Sequence, residues 1–168
     1  MKGFSVKRWL RHEFTGKRAL RRVLPPESMQ RLTKEIAASE KRHGGELRLV
    51  VECALDLPLL WRGVSAHERA IQVFSKMHVW DTEANNGVLI YLLLADRHVQ
   101  IVADRGIDHI VGKTEWDRIC SLMEEGFRKG RFEEGLLRGI GEITAHLEPN
   151  FPHRDDDQNE LPDEPLVI

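Results

Sequence analysis

The run Val88-Leu-Ile-Tyr-Leu-Leu-Leu94 constrains the fold of this chain more than any other feature. Neither alternate set of its residues is polar, so a strand built from it must be covered on both faces. At about a third of a membrane span, it is a central strand rather than a transmembrane segment. Asp96-Arg97 follows with turn chemistry, and Val99, Ile101 and Ala103 alternate beyond it. That pattern predicts an antiparallel strand returning along the first.

Helical patterns on either side supply the covering layers. Pro25-Pro26 opens a helix in which Met29, Leu32 and Ile36 keep helical spacing, and Gly44-Gly45 ends it. Leu47, Leu49, Val51 and Cys53 alternate with Glu46, Arg48 and Glu52, which predicts a half-buried strand. Residues 55–64, broken by Pro58 and Gly63, read as a loop with Trp61 exposed. Ser65 and Glu68 form a capping box for a helix whose Ala70, Val73, Phe74 and Met77 share one face. Thr114 is placed to cap a helix carrying Trp116, Ile119, Cys120, Met123 and Phe127 inward. The last helix carries Phe132, Leu136, Leu137, Ile140 and Ile143, with Gly135, Gly139 and Gly141 weakening it or permitting close packing. The unit from Glu46 to Leu94 should be a right-handed parallel crossover, to which the hairpin adds an antiparallel neighbour. The fold class is therefore α/β, a small mixed β-sheet flanked by helices. A length of 168 residues suits one domain. We divide it into a basic N-terminal segment (1–24), the α/β domain (25–152) and an acidic C-terminal tail (153–168).

The net charge of −2 hides an asymmetry between the ends. Residues 1–22 hold Lys2, Lys7, Arg8, Arg11, Lys17, Arg18, Arg21 and Arg22 against one acid, Glu13, whereas Asp155, Asp156, Asp157, Glu160, Asp163 and Glu164 crowd the other end. Charges run through the stretch where a signal peptide needs an apolar core, so a cytoplasmic, at most membrane-peripheral, location is expected. Cys53 and Cys120 fit no metal spacing and read as reduced core thiols. A helix over residues 4–14, with Phe4, Trp9, Leu10 and Phe14 among cations, fits a solvated face, a membrane-surface helix drawn to anionic lipid, or a nucleic-acid contact. Trp9 and Phe14 favour membrane over nucleic acid, which is not an expected partner.

The hairpin also gathers polar residues. With its turn near Asp96, residues whose numbers sum to about 192 face one another. Asp81, Thr82, Glu83, Asn85 and Asn86 then converge with Asp104, Arg105 and Asp108 at one sheet end. Open α/β sheets bind ligands at strand ends. Carboxylates with an amide oxygen, lacking cysteine or paired histidines, suit a hard cation such as Ca²⁺ or Mg²⁺. The same residues also fit a purely structural account, in which Asp81 and Asn85-Asn86 make turn hydrogen bonds and Asp104 pairs with Arg105.

The stretch Trp80-Asp-Thr-Glu-Ala-Asn-Asn-Gly-Val-Leu-Ile-Tyr91 resembles the heart of the TPM domain family. The likeness continues through Asp96-Arg97, Asp104-Arg105-Gly106-Ile107 and Phe127-Arg-Lys-Gly-Arg-Phe-Glu-Glu-Gly-Leu136. It closes on Phe151-Pro152 and Asn159-Glu-Leu-Pro-Asp163, a tail similar to that of short bacterial members, and spans roughly residues 28–163. The resemblance implies an α/β/α sandwich and, as for some members, calcium binding or acid phosphatase activity. Carried over by position, it implies Asp81, Asn86 and Asp104, with Glu83 and Asp108, as metal candidates. Where many relatives have a Gly-aromatic-Gly-Leu-Glu stretch, this chain has Asp104-Arg105-Gly106-Ile107-Asp108, which adds carboxylates.

Other signals are weaker. Asp155, Asp157 and Asn159 have EF-hand spacing, but Glu160 and Leu166 stand where glycine and glutamate are needed, so the segment reads as a solvated acidic tail that Leu161, Pro162 and Leu166 could pin to the domain. His98 and His109 lack spaced partners, and no phosphate loop, nucleophile elbow or Cys/His signature is present. The expected function is a divalent-cation-binding regulatory or protein-interaction module. Two alternatives stay open: a metal-dependent phosphatase-type hydrolase with Arg105 holding phosphate, and a metal-free scaffold at a membrane surface. No organic cofactor is expected.

Overall fold

The apolar run forms the second strand of a four-stranded sheet. The computed structural model describes residues 5–154 and 158–168. In chain order its elements are α1 (Val6–Phe14), α2 (Lys17–Val23), α3 (Pro26–Glu40), β1 (Glu46–Glu52), α4 (Leu57–Trp61), α5 (Ala66–Lys76), β2 (Gly87–Leu93), β3 (His98–Ala103), α6 (Arg105–Val111), α7 (Lys113–Arg128), α8 (Phe132–Asn150) and β4 (Leu166–Val167). The sheet order is β3-β2-β1-β4, with β1 parallel to β2 and β4, and β3 antiparallel to β2.

Strand alternation splits the core into two layers. Val88, Ile90 and Leu92 pack with Leu32 and Ile36 of α3, Met123 of α7 and Ile140 of α8. Leu89, Tyr91 and Leu93 pack on the other face with Ala70 and Val73 of α5 and Leu60 of α4. Helices therefore lie on both sides of a mixed sheet, and the fold is an α/β/α sandwich. Each fully buried aliphatic side chain in β2 contributes about 1.5–3 kcal/mol. The expected capping box is present at α5, where Ser65 Oγ accepts from Glu68 N–H and the Glu68 carboxylate accepts from Ser65 N–H.

Several expectations need correction. The polar residues of β1 are buried, not solvent-facing. Glu46 Oε2 accepts from Leu161 N–H (2.9 Å), and Arg48 Nη1 donates to Pro162 O (2.6 Å) and Glu164 O (2.8 Å). Glu52 takes Arg69 Nε (2.9 Å) and the Tyr91 hydroxyl (2.5 Å). The partners of Glu46 and Arg48 come from the C-terminal residues, so residues 158–168 are not a solvated tail but are pinned to the domain, with Leu161, Pro162 and Leu166 among the contacts. They lie along β1, bury Leu161 and add β4. Asp155, Asp156 and Asp157 lie outside the described residues, as does Phe4.

Residues 55–64 are not all loop, because α4 occupies part of them, though Trp61 is exposed as expected. α7 starts at Lys113 after Gly112 (φ 79°), so Thr114 is not its cap. Residues 5–24 form two helices, and Leu20 and Leu24 of that segment belong to the main core. Asp96, in the hairpin turn, accepts from Arg8 Nε (3.0 Å), Arg11 Nη2 (3.0 Å) and His12 Nε2 (3.2 Å). His12 Nδ1 accepts from Leu55 N–H (2.9 Å), which puts the ring proton on Nε2, facing Asp96. Burial pushes the Asp96 carboxyl up, but His12 and Arg8 outweigh it and hold it down at about 2. Among the described residues, no helix is long and apolar enough to cross a membrane.

Candidate functional site

The hairpin turn runs from Leu94 to Arg97, where Arg97 N–H donates to Leu94 O and Arg97 adopts φ 51°. Paired residues of β2 and β3 therefore have numbers summing to 191, one less than the turn chemistry suggested. Asp104 N–H donates to Gly87 O (2.8 Å), so Asp104 stands level with the first residue of β2. The chain then turns into α6, a helix that sequence reading missed. Asp104 is its N-cap, with Oδ1 accepting from Arg105 N–H (2.7 Å).

Two glycines let the loop before β2 settle onto this corner. A Cβ on Gly106 would stand 2.4 Å from Asn85 O, and one on Gly87 would stand 2.0 Å from Val79 O. Both contacts are with backbone, which cannot swing away. The loop is otherwise held by local bonds: Asp81 N–H donates to His78 O, Asn85 N–H to Thr82 O, and Asn86 N–H to Thr82 Oγ1 (3.2 Å). His78 and Asn85 take up positive φ, at 53° and 52°. These are the turn bonds that the structural account of the same residues requires. The other half of that account is absent: among the described residues, Asp104 and Arg105 form no side-chain ion pair, and their contact is backbone to carboxylate.

The predicted residues separate into three groups. Asn86 and Asp104 are buried, at 1% and 8% exposure. Asn86 Nδ2 donates to Gly44 O (2.7 Å), which fixes Oδ1 as the free end of the amide. Among the described residues, the buried side-chain polar atoms without a hydrogen-bond partner are Asn86 Oδ1 and Asp104 Oδ2. Glu83 is exposed and shares with Asn86 a cleft of about 700 Å³, lined also by Phe151, Arg154 and Glu160. Glu83 N–H donates to Glu160 Oε1 (3.2 Å), tying the loop to the C-terminal residues. Asp81, Arg105 and Asp108 are exposed, and Asp108 Oδ1 accepts from Trp116 Nε1–H (3.0 Å).

A hard cation fits part of this donor set. Buried acceptors left without a donor lose their hydration without compensation, and a cation would supply it. Asn86 Oδ1 and Asp104 Oδ2 fit that requirement, and Glu83 stands at the cleft mouth. Among the described residues, no three His, Cys, Asp or Glu side chains are gathered around one point. Amide and peptide oxygens, which Ca²⁺ accepts freely, would have to complete the shell. The corner lies at the amino ends of β1 and β2, not at the carboxyl ends where parallel α/β sheets bind most ligands.

A second acidic group lies beside the cleft and was not singled out from sequence. Glu40 Oε1 accepts from Leu47 N–H (2.9 Å), yet burial, with Glu46 and Asp163 adding to it, pushes its carboxyl up to about 9. Burial raises Glu46 as well. No sequence signal marks Glu40, whose carboxyl meets Asp163, more than 120 positions away, only in the fold.

The structure also bears on nucleophiles. Ser39 Oγ lies 2.8 Å from His43 Nε2, which looks like an activated serine. However, His43 Nδ1 accepts from Gly45 N–H (3.1 Å), so Nε2 carries the proton and donates to Ser39. Ser39 passes its own proton toward Thr144 Oγ1 (2.6 Å), and Thr144 donates to Ile140 O. Both residues are buried, and burial holds His43 down at about 4. This relay ties α3 to α8. Burial likewise raises Cys53 and pushes Cys120 up to about 12, leaving two free, buried, protonated thiols.

Comparison with known proteins agrees with this architecture. The TPM domain model matches residues 19–146. The chain is similar to the BA42 protein from the psychrophilic bacterium Bizionia argentinensis, at 30% identity and a TM-score of 0.74, over 84% of this chain and 93% of that one. It also resembles in fold the N-terminal domain of a protein from P. gingivalis, at 20% identity and a TM-score of 0.63, over 79% and 82% of the two chains. No curated protein matches. With a family match from α2 to α8 and a solved relative covered almost end to end, the chain belongs to the TPM domain family.

Proposed function

We propose that this protein is a divalent-cation-binding module, of regulatory or protein-interaction type, whose site lies where the 81–86 loop meets the start of α6. The observation that carries the reading is the pair of buried oxygens without donors, Asn86 Oδ1 and Asp104 Oδ2. Both belong to the residues that hairpin geometry brings to one sheet end. Glu83 is the third candidate ligand, and Asp81 and Asp108 lie within the same loop and helix. A bound Ca²⁺ or Mg²⁺ would tie the loop to α6 and thereby set the shape of the neighbouring cleft.

Catalysis has less support. An exposed Arg105 at the start of α6 favours a phosphatase-type hydrolase, but Ser39 receives a proton from His43, and the thiols are buried. Binding therefore ranks above turnover.

Thermal unfolding of the full chain tests the reading. Ca²⁺ or Mg²⁺ at about 100 times its Kd stabilises by about 2.7 kcal/mol. For a chain of this size that raises Tm by roughly 5–10 °C. Asp104→Asn keeps a good N-cap but removes the charge, so its shift should be small. No shift with either ion in the native chain overturns the proposal.

A further inference from the structure

We infer that α1 and α2 form a docking surface for an anionic phospholipid bilayer. α1 is fastened to the domain by one side only. Trp9 packs in the second core layer, His12 is buried, and Arg8 donates to Asp96 and to Val64 O. Trp9 therefore faces inward and is not a membrane anchor. The opposite side carries Val6, Leu10 and Phe14, one turn apart, at 59%, 42% and 81% exposure. Core packing explains Trp9 and His12 but does not explain this stripe. Phe14 and Leu10 continue into a groove of about 460 Å³ whose rim includes Arg11 and Arg97.

Charge selects the occupant. Residues 5–24 contain seven cations, Lys7, Arg8, Arg11, Lys17, Arg18, Arg21 and Arg22, and one acid, Glu13. Within this segment, Arg8 and Arg11 pair with Asp96. In α2, Lys17, Arg18, Arg21 and Arg22 are all exposed, while Leu20 and Val23 turn toward the core. An exposed apolar stripe on α1, followed in the chain by four exposed cations on α2, matches the boundary between acyl chains and anionic headgroups. A nucleic acid would use the cations and leave the stripe unexplained. The chain as a whole is net negative, so the attraction is local to this face. α1 also precedes the residues that the family model matches. The surface lies at the end of β2 remote from Asn86 and Asp104, so its failure would leave the cation reading untouched.

Flotation of the full chain with vesicles of phosphatidylcholine alone, or with about a third phosphatidylglycerol, is the test. Each Lys or Arg near an anionic surface raises partitioning about fivefold. The native chain should float with the anionic vesicles, remain behind with neutral ones, and be released by high salt. Val6→Ser/Phe14→Ser should lower partitioning at least tenfold. Arg21→Glu/Arg22→Glu should lower it more than twentyfold. Both variants alter exposed side chains, and matching circular dichroism melts will show that they fold. Equal recovery with neutral vesicles, or none with anionic ones, overturns the inference. So does binding to a duplex oligonucleotide that the Val6/Phe14 variant retains, or concentration-dependent dimerisation that this variant abolishes.

Discussion

Individual residues at the cleft are set by burial more than by neighbouring charge. Unfolded Glu40 ionises near 4.5, whereas in the fold its carboxyl holds its proton to about 9. Between those values the folded state binds more protons than the unfolded chain. Its contribution is fully present below about pH 4.5 and drains away as pH rises toward 9. Glu40→Gln keeps an acceptor for Leu47 N–H and has no charge to desolvate. It should therefore raise Tm at pH 8 by a few degrees, on the order of 1 kcal/mol after solvent screening, and leave Tm at pH 4 unchanged. Equal shifts at both pH values would contradict this account. Asn86 and Asp104 are buried as well, and each satisfies one end of its side chain within the protein and leaves an oxygen without a donor at the other.

At the scale of elements, close backbone approach decides where the loop before β2 can lie. A Cβ at Gly106 would meet Asn85 O at 2.4 Å, so Gly106→Ala should cost about 1–3 kcal/mol and also weaken the response to cations. Gly141 sits on the exposed side of α8, where a Cβ would meet nothing within 4 Å. Gly141→Ala should therefore stabilise by about 0.5–1 kcal/mol. Urea unfolding of both variants checks the two signs, and a stabilised Gly106→Ala would show that the loop is not held as described. Three strands of the sheet and the long helices were legible because their signals are local: the alternation of β1, the apolar run of β2, the turn at Asp96-Arg97, the capping box at Ser65, and the periods of α7 and α8; β4 was not. α6 was not, since its seven residues include Gly106 and their start is fixed by Asp104 as cap. The covered face of β1 was also hidden, because Glu46 and Arg48 find their partners more than 110 positions away. Hairpin pairing was enough to nominate Asn86 and Asp104, but not to show that Asp108 would be engaged by Trp116.

Across the whole molecule, the sandwich separates two surfaces at opposite ends of β2. One end carries the start of α6 and a polar cleft lined by the loop before β2 and the C-terminal residues. The other carries the hairpin turn, where Asp96 gathers Arg8, Arg11 and His12 and so fastens the cationic helices to the domain. Residues 158–168 bridge the first end by pairing with β1 and with the loop at Glu83, so a cation bound there would bear on the C-terminus as well. Calorimetric titration of Ca²⁺ into the native chain and into Asp104→Asn tests the central claim most directly. Saturable binding of one ion per chain, weakened at least tenfold by the substitution, is the predicted result. Absence of binding by the native chain at millimolar ion, or equal affinity in the two proteins, would contradict it.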